Sequence, residues 1–194
     1  MDKSDSNTRV NDLHLIPALQ NIEVRAGITI RPLENIHGRQ ILDILNRDPS
    51  IRTRVTVASR LFNANDIAKE IESFQSDPGL IRYTILKDSR PIGLVSLWRD
   101  DGFFGTPPNL DDYGFGYFLD PDERGAGIVT ETVSRLMETL LQNLHVRQFV
   151  AFCEANNTES ITVLSRLSFK KNGEVFKEPT HGWLEYKYIR SPYE

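Results

Sequence analysis

A short glycine-containing loop is the part of this 194-residue sequence whose residue types most directly suggest chemistry. Gly125 and Gly127 stand one residue apart in the run RGAGIV at 124–129. Glycine lets backbone N–H groups approach a ligand without a Cβ in the way. If a helix begins directly behind the loop, its unpaired N–H groups and partial positive charge also attract an anion. The pattern therefore predicts a seat for a phosphate or pyrophosphate.

The same loop is also compatible with ordinary turn chemistry. Pro121 breaks the preceding segment, and the Asp-Glu-Arg-Gly run behind it is typical of turns. A Gly-x-Gly on its own is more often a turn than a ligand site. The interpretation therefore depends on the elements that flank the loop.

Regular elements are predicted on both sides of the loop. Residues 113–119 are apolar and aromatic and predict a strand, and residues 129–144 carry apolar side chains at helical spacing. A buried-type strand is predicted at 148–153, and Asn156 or Asn157 would cap the helix that follows. The loop is thus expected to join a strand to a helix N-terminus, as a phosphate seat requires.

The remaining segments predict an α+β, or mixed α/β, fold. A long loop is predicted at 99–111, in which Phe103 and Phe104 are either anchors under the loop or aromatics that face a substrate. The other predicted elements are a strand at 28–32, a helix stopped by Pro49, a helix capped by Asn63 or Asn65, a hairpin of 80–86 and 92–98, and final strands near 168–176 and 183–189.

Composition limits the function classes. Hydrophobic residues make up 39%, and the length fits a single domain at 21–194 behind an N-terminal tail, 1–20, that may pack on it. We expect no membrane span and no secretory signal. The single cysteine, Cys153, fits a reducing cytoplasm, and the net charge of −4 argues against a general nucleic-acid binder.

Short motifs in a fixed order resemble the GNAT (GCN5-related N-acetyltransferase) superfamily and, within it, the RimJ/RimL-like branch of ribosomal-protein N-terminal acetyltransferases. The family's pyrophosphate loop, Gln/Arg-x-x-Gly-x-Gly/Ala, corresponds to 124–129, with Val129 last. The ordered match covers residues 28–190 and implies the acyl-CoA N-acyltransferase fold, a central mixed, mostly antiparallel sheet flanked by helices. The other matching segments are TET at 130–132, NTES at 157–160 and LSF at 167–169.

The resemblance implies acetyl-CoA as the co-substrate, with its pantetheine arm between diverging strands 113–119 and 148–153. Asn157 would hydrogen-bond that arm, or would serve only as a helix cap. A backbone N–H near Phe118 or Leu119 would face the thioester oxygen. The pyrophosphate would lie on the backbone of Arg124, Gly125, Ala126, Gly127, Ile128 and Val129.

The leaving thiolate needs a proton donor, and Ser160 matches the branch's serine. The alternative for Ser160 is an early-helix serine that bonds the backbone. Tyr117 is a second catalytic candidate. The tyrosine that many family members use at this step is replaced here by Leu164.

The base that removes the amine proton is less evident. The acidic residue often found two before the Gly-Tyr of the central strand is Gly114 here. Asp112, beside Asp111, is a candidate acting through water, or is simply a solvated loop end. His37 and His181 are further candidates. Cys153 is expected in the core rather than as a nucleophile.

The predicted function is therefore an acetyl-CoA-dependent N-acetyltransferase with direct transfer to an amine. The acceptor would be a protein or peptide α-amine or a small-molecule amine, with no metal, membrane or nucleic acid involved. A monomer or homodimer is expected. The alternative is a CoA-binding module that has lost catalysis, because Gly114 and Leu164 remove two groups that the family often uses.

Overall fold

A computed structural model describes residues 12–100, 102, 108–178 and 182–193. Within them the chain forms eight strands, four α-helices and several short 3-10 helices. In chain order the strands and α-helices are β1 Ile22–Arg25, β2 Ile28–Pro32, α1 Gly38–Arg47, α2 Ala64–Gln75, β3 Leu80–Lys87, β4 Arg90–Asp100, β5 Asn109–Leu119, α3 Ile128–Asn143, β6 Gln148–Glu154, α4 Thr158–Arg166, β7 Lys170–Lys177 and β8 Leu184–Arg190.

All eight strands belong to one sheet, in the order β1-β2-β3-β4-β5-β6-β8-β7. β5 and β6 are parallel, and the other neighbouring pairs are antiparallel. A parallel pair needs a crossover connection, which α3 supplies. The predicted fold class, a mixed and mostly antiparallel sheet flanked by helices, is confirmed.

β5 and β6 separate soon after they begin. Their pairing runs only from Asp112 with Gln148 to Gly114 with Val150. Beyond that point β5 stays with β4 as far as Leu119, while β6 stays with β8. The facing edges of the two strands therefore enclose a wedge, and backbone N–H and C=O groups on these edges have no strand partner among the described residues.

Each face of the sheet carries its own apolar core. On one face α1 and α2 pack against Leu94 and Phe118. On the other face α3 and α4 pack against Phe115 and Leu119. This division follows from the alternation of side chains along β5, and it holds β5 firmly while its edge toward β6 stays open.

Two features differ from the sequence-based expectations. β1 was not predicted, although Ala26-Gly27 between alternating apolar residues is a hairpin signal, and Gly27 indeed has φ +77°. The predicted loop 99–111 is too long at both ends, because β4 and β5 continue their ladder to the pair Asp100 and Asn109. Phe103 and Phe104 lie outside the described residues.

The N-terminal segment packs on the body of the protein from Leu13 onward. Leu13 and Leu19 are fully buried in the core on the α3 side, and the Leu13 N–H donates to Pro78 O at 2.8 Å. Residues 1–11 lie outside the described ranges, and the division into a tail and a single domain stays a prediction. None of the described helices is long and apolar enough to cross a membrane.

Candidate active site

The predicted phosphate loop lies where the wedge opens, directly before α3. Gly125 has φ +80°, and Gly127, the N-cap residue of α3, has φ +76°. This left-handed conformation favours glycine. Asn63 and Asn157 cap α2 and α4 with side-chain oxygens, whereas no described side chain caps α3. The first N–H groups of α3 are therefore available to an anion.

The loop has free space around Gly125 and is fixed to the rest of the protein through Arg124. A Cβ added to Gly125 would meet nothing within 4 Å. Arg124 is an anchor, because its Nη2 lies 2.8 Å from Asp48 Oδ2 and its Nε donates to Leu119 O at 3.3 Å. These features fit a pyrophosphate that is held by backbone groups.

Ile128 and Val129 are placed to contribute through their backbones. The Ile128 side chain is buried in the core on the α3 side, and Val129 packs against the same core. Since neither side chain is needed at the surface of the loop, valine in place of the family's Gly/Ala leaves the first-turn N–H groups in place.

A cavity of about 590 Å³ extends from the wedge across the sheet. Its floor is apolar and includes Phe115, Ala151 and Leu164, and its polar groups come from several separate segments of the chain. Such a cavity, apolar with a few convergent polar groups, is typical of a small-ligand or substrate site. The polar side chains that line the cavity include Tyr117, Asn157, Ser160 and Glu185.

Tyr117 and Ser160 form a pair in this cleft. Burial strongly raises the pKa of the Tyr117 phenol, and a side-chain hydrogen bond with Ser160 opposes that rise. Asn157 Oδ1 accepts the Ser160 N–H at 3.2 Å, which fixes the first turn of α4. Two of the predicted catalytic candidates are thus brought together, and a phenol from β5 stands near the serine although Leu164 replaces the family's tyrosine.

Cys153 lies in the same cleft but is unsuited to act as a nucleophile. Burial, and then the charges of Glu185 and Glu154, raise the pKa of its thiol to about 12. A thiol is reactive mainly as the thiolate, so it stays protonated here. It is 4% exposed and serves as part of the core, as expected from the sequence.

Glu185 is an acidic group of the cleft that the sequence analysis does not single out. It is 8% exposed, and its Oε2 has no hydrogen-bond donor among the described residues. Burial, and then the charges of Glu178 and Glu154, raise its pKa to about 7. A glutamate in the late apolar strand LEYKYI was the available signal. A carboxylate with a pKa near neutrality suits a general base.

Asp112 is placed elsewhere. It is 1% exposed and forms a bidentate ion pair with Arg147, and Gln148 Nε2 donates to its Oδ2 at 2.7 Å. It does not line the cleft but joins the starts of β5 and β6. These contacts assign it a structural role, and we do not retain it as a base.

His37 does not line the cleft either. His37 is buried, its pKa is lowered by that burial, and its Nδ1 lies 3.0 Å from Thr84 Oγ1. His181 lies outside the described residues. The carboxylate missing at Gly114 has a steric reason, because a Cβ there would lie 2.3 Å from Trp98 Cε2.

Of the two backbone N–H groups considered for the thioester oxygen, the ladder favours Leu119. Asp120 N donates to Ile92 O at 2.7 Å, so the N–H of Asp120 points toward β4. Successive residues of a strand point their N–H groups to opposite sides. The N–H of Phe118 therefore belongs to the β4 ladder, while those of Tyr117 and Leu119 face the wedge.

Known proteins share this architecture. Ribosomal L7/L12 alpha-N-protein acetyltransferase, solved with coenzyme A, superposes with a TM-score of 0.75 at 17% identity over 89% of this chain and 98% of its own. The microcin C7 self-immunity acetyltransferase MccE, solved with acetyl-CoA and AMP, gives a TM-score of 0.74 at 20% identity over 93% and 99%. RimJ of Mycobacterium smegmatis gives 0.71 at 14% identity over 84% and 81%.

Sequence comparison leads to the same group. The ribosomal-protein-serine acetyltransferase of Escherichia coli (strain K12) is 29% identical over 91 residues. That match spans 47% of this chain and 48% of the relative, about half the length of each. The family model for the acetyltransferase (GNAT) domain matches residues 28–170. This chain therefore belongs to the GNAT acetyltransferase domain family.

Proposed function

We propose that the protein is an acetyl-CoA-dependent N-acetyltransferase that transfers the acetyl group directly to an amine. The observation that carries the proposal is the coincidence of two features in one opening. The uncapped N-terminus of α3 lies at the mouth of the β5–β6 wedge. The Tyr117–Ser160 pair and the buried carboxylate of Glu185 line the same cleft.

The relatives support this activity and favour a protein acceptor. The Escherichia coli relative is a ribosomal-protein-serine acetyltransferase, and two structural relatives were solved with coenzyme A or acetyl-CoA. We therefore propose a protein or peptide α-amine as the acceptor, with a small-molecule amine as the second choice. A cytoplasmic location and a monomeric or homodimeric state remain predictions.

Glu185 is the proposed general base. An α-amine has a pKa near 8 and must lose a proton before it attacks. A carboxylate that faces the cleft with a pKa near 7, and whose Oε2 has no hydrogen-bond donor among the described residues, is matched to that task. Glu178 and Glu154 assist indirectly, because their negative charges keep this pKa high.

Ser160, hydrogen-bonded to Tyr117, is the proposed donor on the thiol side. Bound acetyl-CoA supplies the acetyl group as a thioester. As the amine nitrogen forms the new C–N bond, the C–S bond breaks. Glu185 takes the proton that the amine loses, and the Ser160 hydroxyl, backed by the Tyr117 phenol, gives a proton to the departing sulfur. The N–H of Leu119 stabilises negative charge on the carbonyl oxygen.

An acceptor panel with acetyl-CoA tests the proposal. With peptides that have a free α-amine, acetyl-CoA should release the coenzyme A thiol faster than it does spontaneously. The same peptides with a blocked α-amine should give only the spontaneous rate. Binding of coenzyme A, measured by calorimetry without release of thiol for any acceptor, would instead identify a CoA-binding module. Absence of both would refute the cofactor assignment as well.

A further inference from the structure

The cleft is lined by both acidic and basic side chains. Glu154 and Glu185 line it on the β6–β8 side. On the side of β3, β4 and the segment 49–61, four arginines line the same cavity, namely Arg54, Arg60, Arg82 and Arg99. A cavity of this size that is lined by groups of both signs suits a ligand that carries both a basic and an acidic group.

The arginine side retains uncompensated positive charge. Buried Glu70 forms ion pairs with two of the arginines. Its Oε1 lies 2.9 Å from Arg82 Nε, and its Oε2 lies 3.3 Å from Arg60 Nη2. Asp77 also faces Arg82. Arg54 is exposed and has no ion pair with any described residue. Glu70 therefore holds Arg60 and Arg82, while the guanidinium of Arg54 has no carboxylate partner among the described residues and is available to a ligand.

Arg54 is carried by a segment that is rigidly held. Arg52 donates from Nη1 to Leu45 O at 2.6 Å and from Nε to Leu61 O at 3.0 Å, so it ties both ends of the segment to α1. Its guanidinium also lies 4.9 Å from the Phe62 ring centroid. A held backbone lowers the entropy lost when the neighbouring Arg54 binds an anion.

The arginine side lies away from the phosphate loop. The loop follows Leu119, which pairs with Gly93, whereas Arg99 and its neighbour Trp98 pair with the beginning of β5, at Tyr113 and Gly114. Five residues of strand, from 114 to 119, span about 17 Å. Arg60 belongs to the same side, because Glu70 links it to Arg82. Arg99, Arg82 and Arg60 therefore lie away from the seat of the coenzyme A phosphates, and Arg54 lines the same cavity as they do.

We propose that Arg54, supported by Arg60, binds an anionic group of the acceptor, so that the enzyme selects amines that carry a carboxylate or phosphate. This inference rests on the proposed acetyltransferase function. The planar guanidinium fork suits both anions. Trp98 and Leu80, which line the same cavity, would contact the apolar part of the acceptor.

Matched acceptor pairs test the inference. The carboxylate pair is a Ser-Asp-Asp-Ala amide against a Ser-Asn-Asn-Ala amide, and the phosphate pair is phosphoethanolamine against ethanolamine. The wild type should prefer the anionic member of at least one pair by about tenfold or more in kcat/KM, since a charge-assisted hydrogen bond is worth about that much. The pair with the larger preference identifies the anion.

Arg54→Ala should reduce this preference to about twofold or less, and Arg54→Lys should retain part of it, because lysine keeps the charge without the fork. Arg39→Ala, an exposed arginine of α1 that does not line the cleft, is the matched control. Equal use of both members of each pair by the wild type, or a preference unchanged in Arg54→Ala, would overturn the inference.

A binding experiment separates this inference from the reaction. If no acceptor is acetylated, calorimetry with the CoA-loaded protein still measures binding of the acidic peptide and of phosphoethanolamine. Binding that is lost in Arg54→Ala would support the anion site while the proposed reaction fails. Absence of binding by both anionic compounds would refute the site itself.

Discussion

The polar groups around α2 and those in the opening between β5 and β6 differ in how they are hydrogen-bonded. Around α2, Asn63 caps the helix, Arg52 bonds the carbonyls of its neighbours, and Glu70 neutralises Arg82. In the opening, α3 starts without a side-chain cap, and Glu185 Oε2 has no donor among the described residues. Unpaired polar groups cost stability, so an uncapped helix start and a carboxylate oxygen without a donor at the same opening mark a surface suited to ligands.

If this contrast is correct, replacing Glu185 should have the largest effect on activity. Glu185→Gln should lower kcat/KM at pH 8 by about 10²–10⁴-fold, because the amide cannot accept the amine proton. In the wild type, kcat/KM should rise with pH through about 7, as Glu185 loses its proton. Initial-rate assays over this pH range measure both. Glu72→Gln, an exposed change on α2, is the control and should leave the profile unaltered.

Two glycines with the same backbone strain test the phosphate loop. Gly125 and Gly173 have φ +80° and +88°, and a Cβ on either meets nothing within 4 Å. Valine at either position should cost about 1–2 kcal/mol of stability. Only Gly125→Val should also weaken coenzyme A binding, by about tenfold or more, since only that side chain would enter the anion seat at α3. Equal affinities of the two variants in calorimetry would contradict the assignment.

The stability of Glu185→Gln should depend on pH in a defined direction. The ordinary pKa of 4.5 is raised to about 7 in the folded protein. The folded state therefore holds a proton that the unfolded chain releases, and wild-type stability falls as pH rises from about 4.5 to 7. The variant should be more stable than the wild type by about 1–3 kcal/mol at pH 8. Denaturant titrations should show this difference disappear below about pH 4.5, and a difference constant with pH would argue against a raised pKa.

The smallest effect is expected at the capped helix. Asn63→Ala should lower the free energy of unfolding by about 1 kcal/mol, because the side chain accepts two N–H groups at the start of α2. It should leave coenzyme A affinity unchanged. Asn157→Ala removes a similar cap from α4 but lies in the cleft, so it should lower both stability and affinity. A loss of affinity in Asn63→Ala would remove the distinction between the two regions.

Local pattern was sufficient for most elements and for the cofactor seat. The alternation in β3, β4 and β5 and the apolar spacing in α3 are short-range features, and they predicted these elements within a few residues. The loop at 124–129 was recognisable because positive φ and a helix start both depend on adjacent residues. β1 was not predicted, because a strand of four residues that pairs with a single neighbouring strand leaves little pattern in the sequence.

The base could not be found in the same way. Asp112 lies just ahead of the Gly-Tyr of the central strand, but Arg147 and Gln148, which hold it, are 35 and 36 residues away. Glu185 enters the cleft because β8 pairs with β6, where Glu154 stands opposite Glu185. Its pKa depends on burial and on the charges of two other glutamates, and these causes arise only when the chain is folded.

The sequence by itself therefore determined most of the elements and the family, and it predicted a phosphate loop at 124–129, because each depends on neighbouring residues or on motifs in order. Only the tertiary structure decided which carboxylate is buried in the cleft, which is taken up by an ion pair, and where the arginines gather. Burial and charge are set by residues distant in the chain. The loop at 124–129 is suited to bind an anion because no described side chain caps α3. Before a helix with a side-chain cap, the same residues would form only a turn.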